Sequence, residues 1–246
     1  MIRRGITIAE LLVTIGVIGL VLAIALPVFT FARHGARQSV TLSNLRQHAA
    51  VFASYSGDHD GLNPRFVSGH GPATAFDFRG LTVPIKYFEQ HRYWNFALVD
   101  AYYGGGPPNA EHFAPPGYPA GIAGADGWTT TPYFYSCTFV ARPEYWSPFT
   151  RTGVDQWAAT RLSEVRFPSS KAMIISSYPH VLERPDPKPP EAAFADGSVS
   201  ILLAGGGTSG AYDSGDGYQW FIQGAYHLTP SLPGMHTIGG VHGRDR

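Results

Sequence analysis

From Leu11 to Val28 the chain carries no charge, and only Thr14, Gly16, Gly19 and Pro27 interrupt its apolar side chains. A helix crosses the roughly 30 Å hydrocarbon core of a bilayer with about 20 residues, and it satisfies its own backbone hydrogen bonds there. A short basic stretch, Met1-Ile2-Arg3-Arg4-Gly5, precedes the run. A cleaved secretory signal fits poorly, because the apolar run exceeds its usual 7 to 15 residues and Pro27-Val28-Phe29 stands where a small-x-small site belongs. An ordinary uncleaved anchor leaves Glu10 to explain, since an ionised carboxylate near lipid is expensive. A compensating positive charge is expected, either the amine of a new N-terminus or that of a partner subunit.

Basic residues flank both ends of the run, Arg3 and Arg4 before it and Arg33, His34 and Arg37 after it, so charge counting alone leaves the orientation open. Beyond the run, Leu42, Leu45, Ala49, Phe52 and Tyr55 recur every three or four residues. That spacing predicts one helix from about Ile8 to Tyr55, stopped by Ser56-Gly57, whose second half is amphipathic and needs a sheet against its apolar stripe.

Gly5-Ile6-Thr7-Ile8-Ala9-Glu10-Leu11-Leu12-Val13 resembles the signature of type IV prepilins and type II secretion pseudopilins. The resemblance implies that a prepilin peptidase, working on the cytoplasmic side, cuts between Gly5 and Ile6 and that Ile6 becomes an N-methylated first residue. The family more often has Phe or Met at that place. Glu10 then falls on the family's glutamate and Pro27 on its helix-kinking proline. Glu10 would pair with the Ile6 ammonium of a neighbouring pilin-like subunit, and the helix would sit in the inner membrane with a head in the periplasm or at the cell surface. Phe194-Ala195-Asp196-Gly197-Ser198-Val199, and Gly239-Gly240-Val241-His242-Gly243-Arg244-Asp245 at the end, resemble the DUF1559-like (H-x9-DG) heads of planctomycete prepilin-like proteins. Position 186, where the histidine of that pattern would stand, is Asp186.

The expected fold class is therefore α+β and pilin-like, a long N-terminal transmembrane and amphipathic helix packed on a loop-rich antiparallel head. Its divisions are a leader over 1–5, a transmembrane part over 6–31, an amphipathic continuation over 32–57 and a head over 58–246. Within the head, strands are expected at Tyr133 to Val140, Ala172 to Ser177, Ala192 to Ala195 and Val199 to Leu203. Asp196-Gly197 reads as the turn of a tight hairpin, Leu162 to Lys171 as a connector, and Tyr87 to Leu98 as a short helix. Abundant Gly and Pro predict long loops, and 13% aromatic residues predict side chains that pin those loops to a modest sheet.

Chemistry is sparsely signalled. The single cysteine, Cys137, excludes an internal disulfide and reads as a small buried hydrophobe. Gly-x-Ser-x-Gly and His-Glu-x-x-His are both absent, and no catalytic residue is assigned. Asp58-His59-Asp60-Gly61 reads as a helix-ending turn, since no bidentate acid follows at calcium-loop spacing. Asp213-Ser214-Gly215-Asp216-Gly217 fits either a surface turn or a weak calcium site through Asp213 and Asp216. A formal net charge of +0 gives nucleic acid no purchase as a partner. Three functions stand open: a structural subunit, a membrane-anchored surface module binding protein or polysaccharide through its aromatic loops, and a tethered hydrolase.

Overall fold

The computed structural model describes residues 7–68, 73–118, 130–147, 149–176, 189–202 and 234–245. It is an α+β protein: one long apolar N-terminal helix, then antiparallel sheets joined by many short 3-10 turns. The chain divides into two compact units, 1–39 and 40–246, and the division falls inside the first helix.

That helix, α1, runs from Ile8 to Asp58 and passes through Pro27 without a break. It ends three residues beyond the expected Tyr55, and Ser56-Gly57 is not its stop. The reversal comes at Asp60 and Gly61, both left-handed (φ 54° and 78°), where the Gly61 N–H donates to the Ser56 carbonyl at 2.7 Å. Gly61 takes this conformation without steric cost, as Gly57 would not need to. Asp58 and Asp60 thus lie in a helix-ending turn, and the Tyr102 hydroxyl donates to Asp58 at 3.0 Å.

In the second unit, α1 buries Thr41, Asn44, Leu45, His48, Ala49, Phe52 and Ser56. The buried face is thus more polar than the apolar stripe predicts. Leu42 and Tyr55 are only half-buried, because the face follows the residues 41, 45, 48, 52 and 56 at helical spacing. Phe52 meets Trp94 and Tyr135 edge-on, at ring separations of 5.3 and 4.9 Å.

Two strands absent from the sequence reading follow, β1 (Ala73–Phe78) and β2 (Leu81–Lys86), paired antiparallel with Phe78 opposite Leu81. Arg79 and Gly80 make the two-residue turn, both with positive φ, which matches the twist of a hairpin. The expected helix over Tyr87 to Leu98 is instead a 3-10 turn, Tyr87–Arg92, followed by α2 (Trp94–Tyr102).

The main sheet has four antiparallel strands in the order β3 (Tyr133–Tyr135), β4 (Ala172–Ser176), β5 (Glu191–Phe194) and β6 (Val199–Ile201). The expected strand over Tyr133 to Val140 stops at Tyr135, and Cys137–Phe139 is a 3-10 turn. Every residue of β4 is buried, as an uninterrupted apolar run in a central strand requires. β5 and β6 form the expected hairpin around Gly197 (φ 81°), where the Ser198 N–H donates to the Asp196 side chain at 2.9 Å. The connector from Leu162 to Lys171 folds into two 3-10 turns.

Aromatic side chains fasten the loops, as their abundance predicts. The Trp94 indole donates to the Tyr133 carbonyl at 2.7 Å, and the buried Tyr87 hydroxyl to the Val140 carbonyl at 2.6 Å. Rings of Tyr87, Phe88, Tyr145, Trp146 and Trp157 pack edge-on and stacked upon one another.

Candidate functional site

The start of α1 is where the sequence concentrates its functional residues. Thr7 is the N-cap, and its backbone N–H and its hydroxyl both donate to one Glu10 carboxylate oxygen, at 2.8 and 2.9 Å. The Glu10 N–H donates back to the Thr7 hydroxyl oxygen at 3.2 Å. This is a reciprocal capping box, in which a Thr and a Glu three residues on satisfy two of the helix's orphan donors. The carboxylate also faces the positive end of the helix macrodipole. Glu10 therefore has hydrogen-bond partners at its own helix start, beside any amine that the expected pairing would bring. Gly5 and Ile6 lie outside the described residues, as does Asp186.

Past the cap the helix presents apolar surface in every direction. The large side chains from Ile8 to Phe31 are all more than half exposed in the isolated chain, with Phe29 at 72% and Phe31 at 82%. Such a surface is not stable against water over this length. The helix is long and apolar enough to cross a membrane. Thr14 and Thr30 donate their hydroxyls to the carbonyls of Glu10 and Leu26, at 2.7 and 3.0 Å, so each hydroxyl is satisfied within the helix. Pro27 lacks the N–H that would bond the carbonyl four residues back, yet the helix continues through it.

In the head, His48 occupies a closed aromatic box. Its Nε2 lies 2.9 Å from the His112 carbonyl and its Nδ1 2.7 Å from the Tyr103 hydroxyl. A carbonyl only accepts, so Nε2 carries the proton and Nδ1 accepts from Tyr103. Phe113 stacks parallel to the ring at 5.6 Å, and Trp94 meets it edge-on at 4.9 Å. Burial pulls the His48 pKa down to about 3. His91, whose Nδ1 lies 2.9 Å from the Phe88 carbonyl, is pulled to about 3 by burial and by the neighbouring Arg92 charge. Both imidazoles are neutral structural groups; His48 fastens α1 to the segment of Tyr103 and His112, and His91 bonds within its own 3-10 turn. A cavity of 490 Å³ opens nearby, lined by Asn44, Pro108, Glu111, Phe113, Tyr118 and Thr131 among others.

Among the described residues, Lys171, Thr237 and Asp245 form a fully buried polar cluster. Lys171 Nζ lies 2.9 Å from Asp245 Oδ2, and neither side chain is exposed. Thr237 bridges the two, accepting from Lys171 and donating to the second carboxylate oxygen. Asp245 also accepts from the Ala172 N–H at 2.9 Å, and its own N–H donates to the Ser170 carbonyl at 2.8 Å. Burial pushes the Lys171 ammonium down and the Asp245 charge pushes it back. The motif from Gly239 to Asp245 is thereby a clasp on the first residue of β4. Gly240 (φ 57°) fits because a Cβ there would sit 2.6 Å from Trp146 Cδ1.

Cys137 is fully buried and its thiol is pushed well above the usual range by burial, which makes it an inert packing group. Among the described residues no three His, Cys, Asp or Glu side chains come together as metal ligands. Asp213 and Asp216 lie outside the described residues.

Of the functional residues, Thr7, Lys171 and Thr237 were not singled out in the sequence. Thr7 had a readable signal, the Thr-x-x-Glu spacing before an apolar run. Lys171 and Thr237 had none, since nothing local pairs them with Asp245. Comparison of the chain with family models, with curated proteins and with solved structures finds no match.

Proposed function

We propose that this chain is a prepilin-like, non-enzymatic structural subunit, cut between Gly5 and Ile6 by a prepilin peptidase. It is held in the inner membrane by α1, with its head on the periplasmic side, and it assembles with other pilin-like subunits of a type II secretion or type IV pilus-like system through that helix. The observation that carries the reading is the capped Glu10 at the head of an uncharged apolar run whose large side chains are all more than half exposed. The register of Gly5, Glu10 and Pro27 supports it, on the resemblance drawn from the sequence. Cleavage at that point leaves the cap whole, because Thr7 keeps its peptide N–H while Ile6 gains an ammonium one residue away. Glu10 can then hold its own helix start while its second oxygen accepts from the ammonium of a neighbour.

N-terminal sequencing and intact mass of the chain from its native membrane test this. A mature chain beginning at Ile6 is expected; one beginning at Met1, or after Pro27, overturns the proposal. The 490 Å³ cavity favours a second reading, a membrane-anchored module that binds protein or polysaccharide and never polymerises. Cross-linking through cysteines placed along Leu11 to Val28 separates them, since only a subunit gives ladders beyond the dimer.

A further inference from the structure

Lys171 is among the largest fully buried side chains of the head, and its Nζ meets the equally buried carboxylate of Asp245 at 2.9 Å. Full burial of a lysine is rare, and a buried ion pair often stabilises a fold no better than apolar side chains of the same volume. The pair joins the start of β4 to the chain-end clasp, in an arrangement more specific than charge pairing requires.

The two carboxylate oxygens have different partners. Oδ2 faces the Lys171 amine and also accepts the Ala172 N–H at 2.9 Å. Oδ1 accepts the Thr237 hydroxyl, and that hydroxyl oxygen accepts in turn from Lys171 Nζ. One hydroxyl thus connects the amine to Oδ1, a path along which a proton can pass from nitrogen to oxygen. Burial favours the transfer, because it turns two charges into a neutral amine and a neutral acid. The Lys171 pKa is drawn down by burial, with the Asp245 charge opposing. His236, next to Thr237 in the chain, is kept neutral above all by burial and adds no charge to the cluster.

We infer that Lys171 and Asp245 become joined by an intramolecular isopeptide bond, formed by the folded head without any other catalyst. Nζ, as the neutral amine, attacks Cγ, and the π pair of the Cγ=Oδ2 bond moves onto Oδ2, where the Ala172 N–H already points. A second proton passes from nitrogen through the Thr237 hydroxyl to Oδ1. The Cγ–Oδ1 bond then breaks, Oδ1 leaves as water with both protons, and the carbonyl re-forms at Oδ2. Ammonium and carboxylate are converted into one secondary amide and one water molecule, and nothing is oxidised or reduced. Contact between amine and acid in one site supplies an effective concentration that free groups do not reach in water, and burial penalises the ionised reactants that oppose condensation. The bond ties the clasp covalently to the edge of the central strand. The inference concerns the head alone and stands whether or not the chain assembles as a subunit.

The test is mass spectrometry of the full chain, purified folded in neutral detergent and then denatured. A chain lighter than its sequence by one water is expected, together with a branched peptide joining Lys171 to Asp245 after digestion. A folded chain without that loss overturns the inference, and so does a lost water that maps to a succinimide at an Asp-Gly pair such as Asp196-Gly197. Loss of the proposed leader changes the mass by whole residues, so the two readings fail separately. Asp245→Ala, whose mass is readable whether or not it folds, should show no loss of water. In chain freshly made by cell-free synthesis and sampled over time, Thr237→Ser keeps the hydroxyl and should form the bond, whereas Thr237→Val should form it more slowly by on the order of a hundred-fold. A Thr237→Val chain that cross-links as fast as the native one overturns the relay on which the inference rests, and the native mass decides the matter even where a variant fails to fold.

Discussion

Mild acid should destabilise the head, and the structure sets the size of the effect. His48 and His91 are buried as neutral rings with pKa values of about 3, against an ordinary value near 6.5 in an unfolded chain. Above pH 7 both states are unprotonated and the two groups leave stability unchanged. Below 6.5 the unfolded chain takes up protons that the folded chain refuses, so stability falls with pH and goes on falling until about pH 3. Going from pH 7.5 to 5.5, each ring costs about 1.4 kcal/mol, and the pair about 2.7 kcal/mol. His236, also pulled down by burial, adds in the same direction. For a unit of this size the change corresponds to a fall in melting temperature of roughly 5–10 °C.

The assay is thermal or urea unfolding of the full chain in a neutral detergent, followed through its buried tryptophans, at half-unit steps from pH 7.5 to 5.5. His48→Gln supplies the control. Glutamine can still donate to the His112 carbonyl but does not titrate, so the variant should be less stable at pH 7.5 yet lose about 1.4 kcal/mol less than the native chain on acidification. A native stability that is flat across this window, or a His48→Gln chain with the full native slope, would refute the assignment of these rings as neutral and buried.

Three further expectations concern the rest of the head. Lys171→Met leaves the Asp245 carboxylate buried without its counter-ion and should cost about 3–5 kcal/mol in urea unfolding, part of which Asp245→Asn in the same chain restores by removing the orphaned charge. Gly240→Ala forces both a left-handed alanine and a Cβ against Trp146 Cδ1 and Pro143 Cα, and should lower the melting temperature by several degrees, whereas Gly57→Ala, on an open helical face, should leave it unchanged or slightly raised. Cys137 should react with a thiol reagent only after the head unfolds, so a native chain labelled as fast as a denatured one would contradict its burial.

How much of this was legible in the sequence depended on whether the determining contact was local. The long helix and the β5–β6 hairpin follow from periodicity and from one Asp-Gly turn, and both stand where expected. The β1–β2 hairpin was hidden because Pro84 breaks its pattern and because Arg79-Gly80 is an uncommon turn pair, with a non-glycine residue at positive φ. Tyr133 to Val140 is uniformly apolar, and an apolar run does not say where a strand gives way to a turn. Thr41, Asn44 and His48 lie outside the apolar spacing of Leu42, Leu45, Ala49, Phe52 and Tyr55. They are buried because partners distant in sequence, the Tyr133 hydroxyl for Asn44 and Tyr103 with His112 for His48, satisfy them.

Glu10 shows how a charge beside apolar sequence can be satisfied by a contact that the charge itself does not reveal. Its charge next to apolar sequence marks it, and the physical difficulty seemed to demand an amine from elsewhere. Thr7 removes that difficulty locally: two donors on one oxygen and a helix start beneath it stabilise the carboxylate before any neighbour arrives. Under the proposed subunit reading, the glutamate would be satisfied in an unassembled chain and would offer a neighbour's ammonium only its remaining acceptor capacity. Replacing Thr7 by alanine takes away the hydroxyl donor and the acceptor of the Glu10 N–H but keeps the backbone N–H on the carboxylate, so it weakens the capping box without removing it.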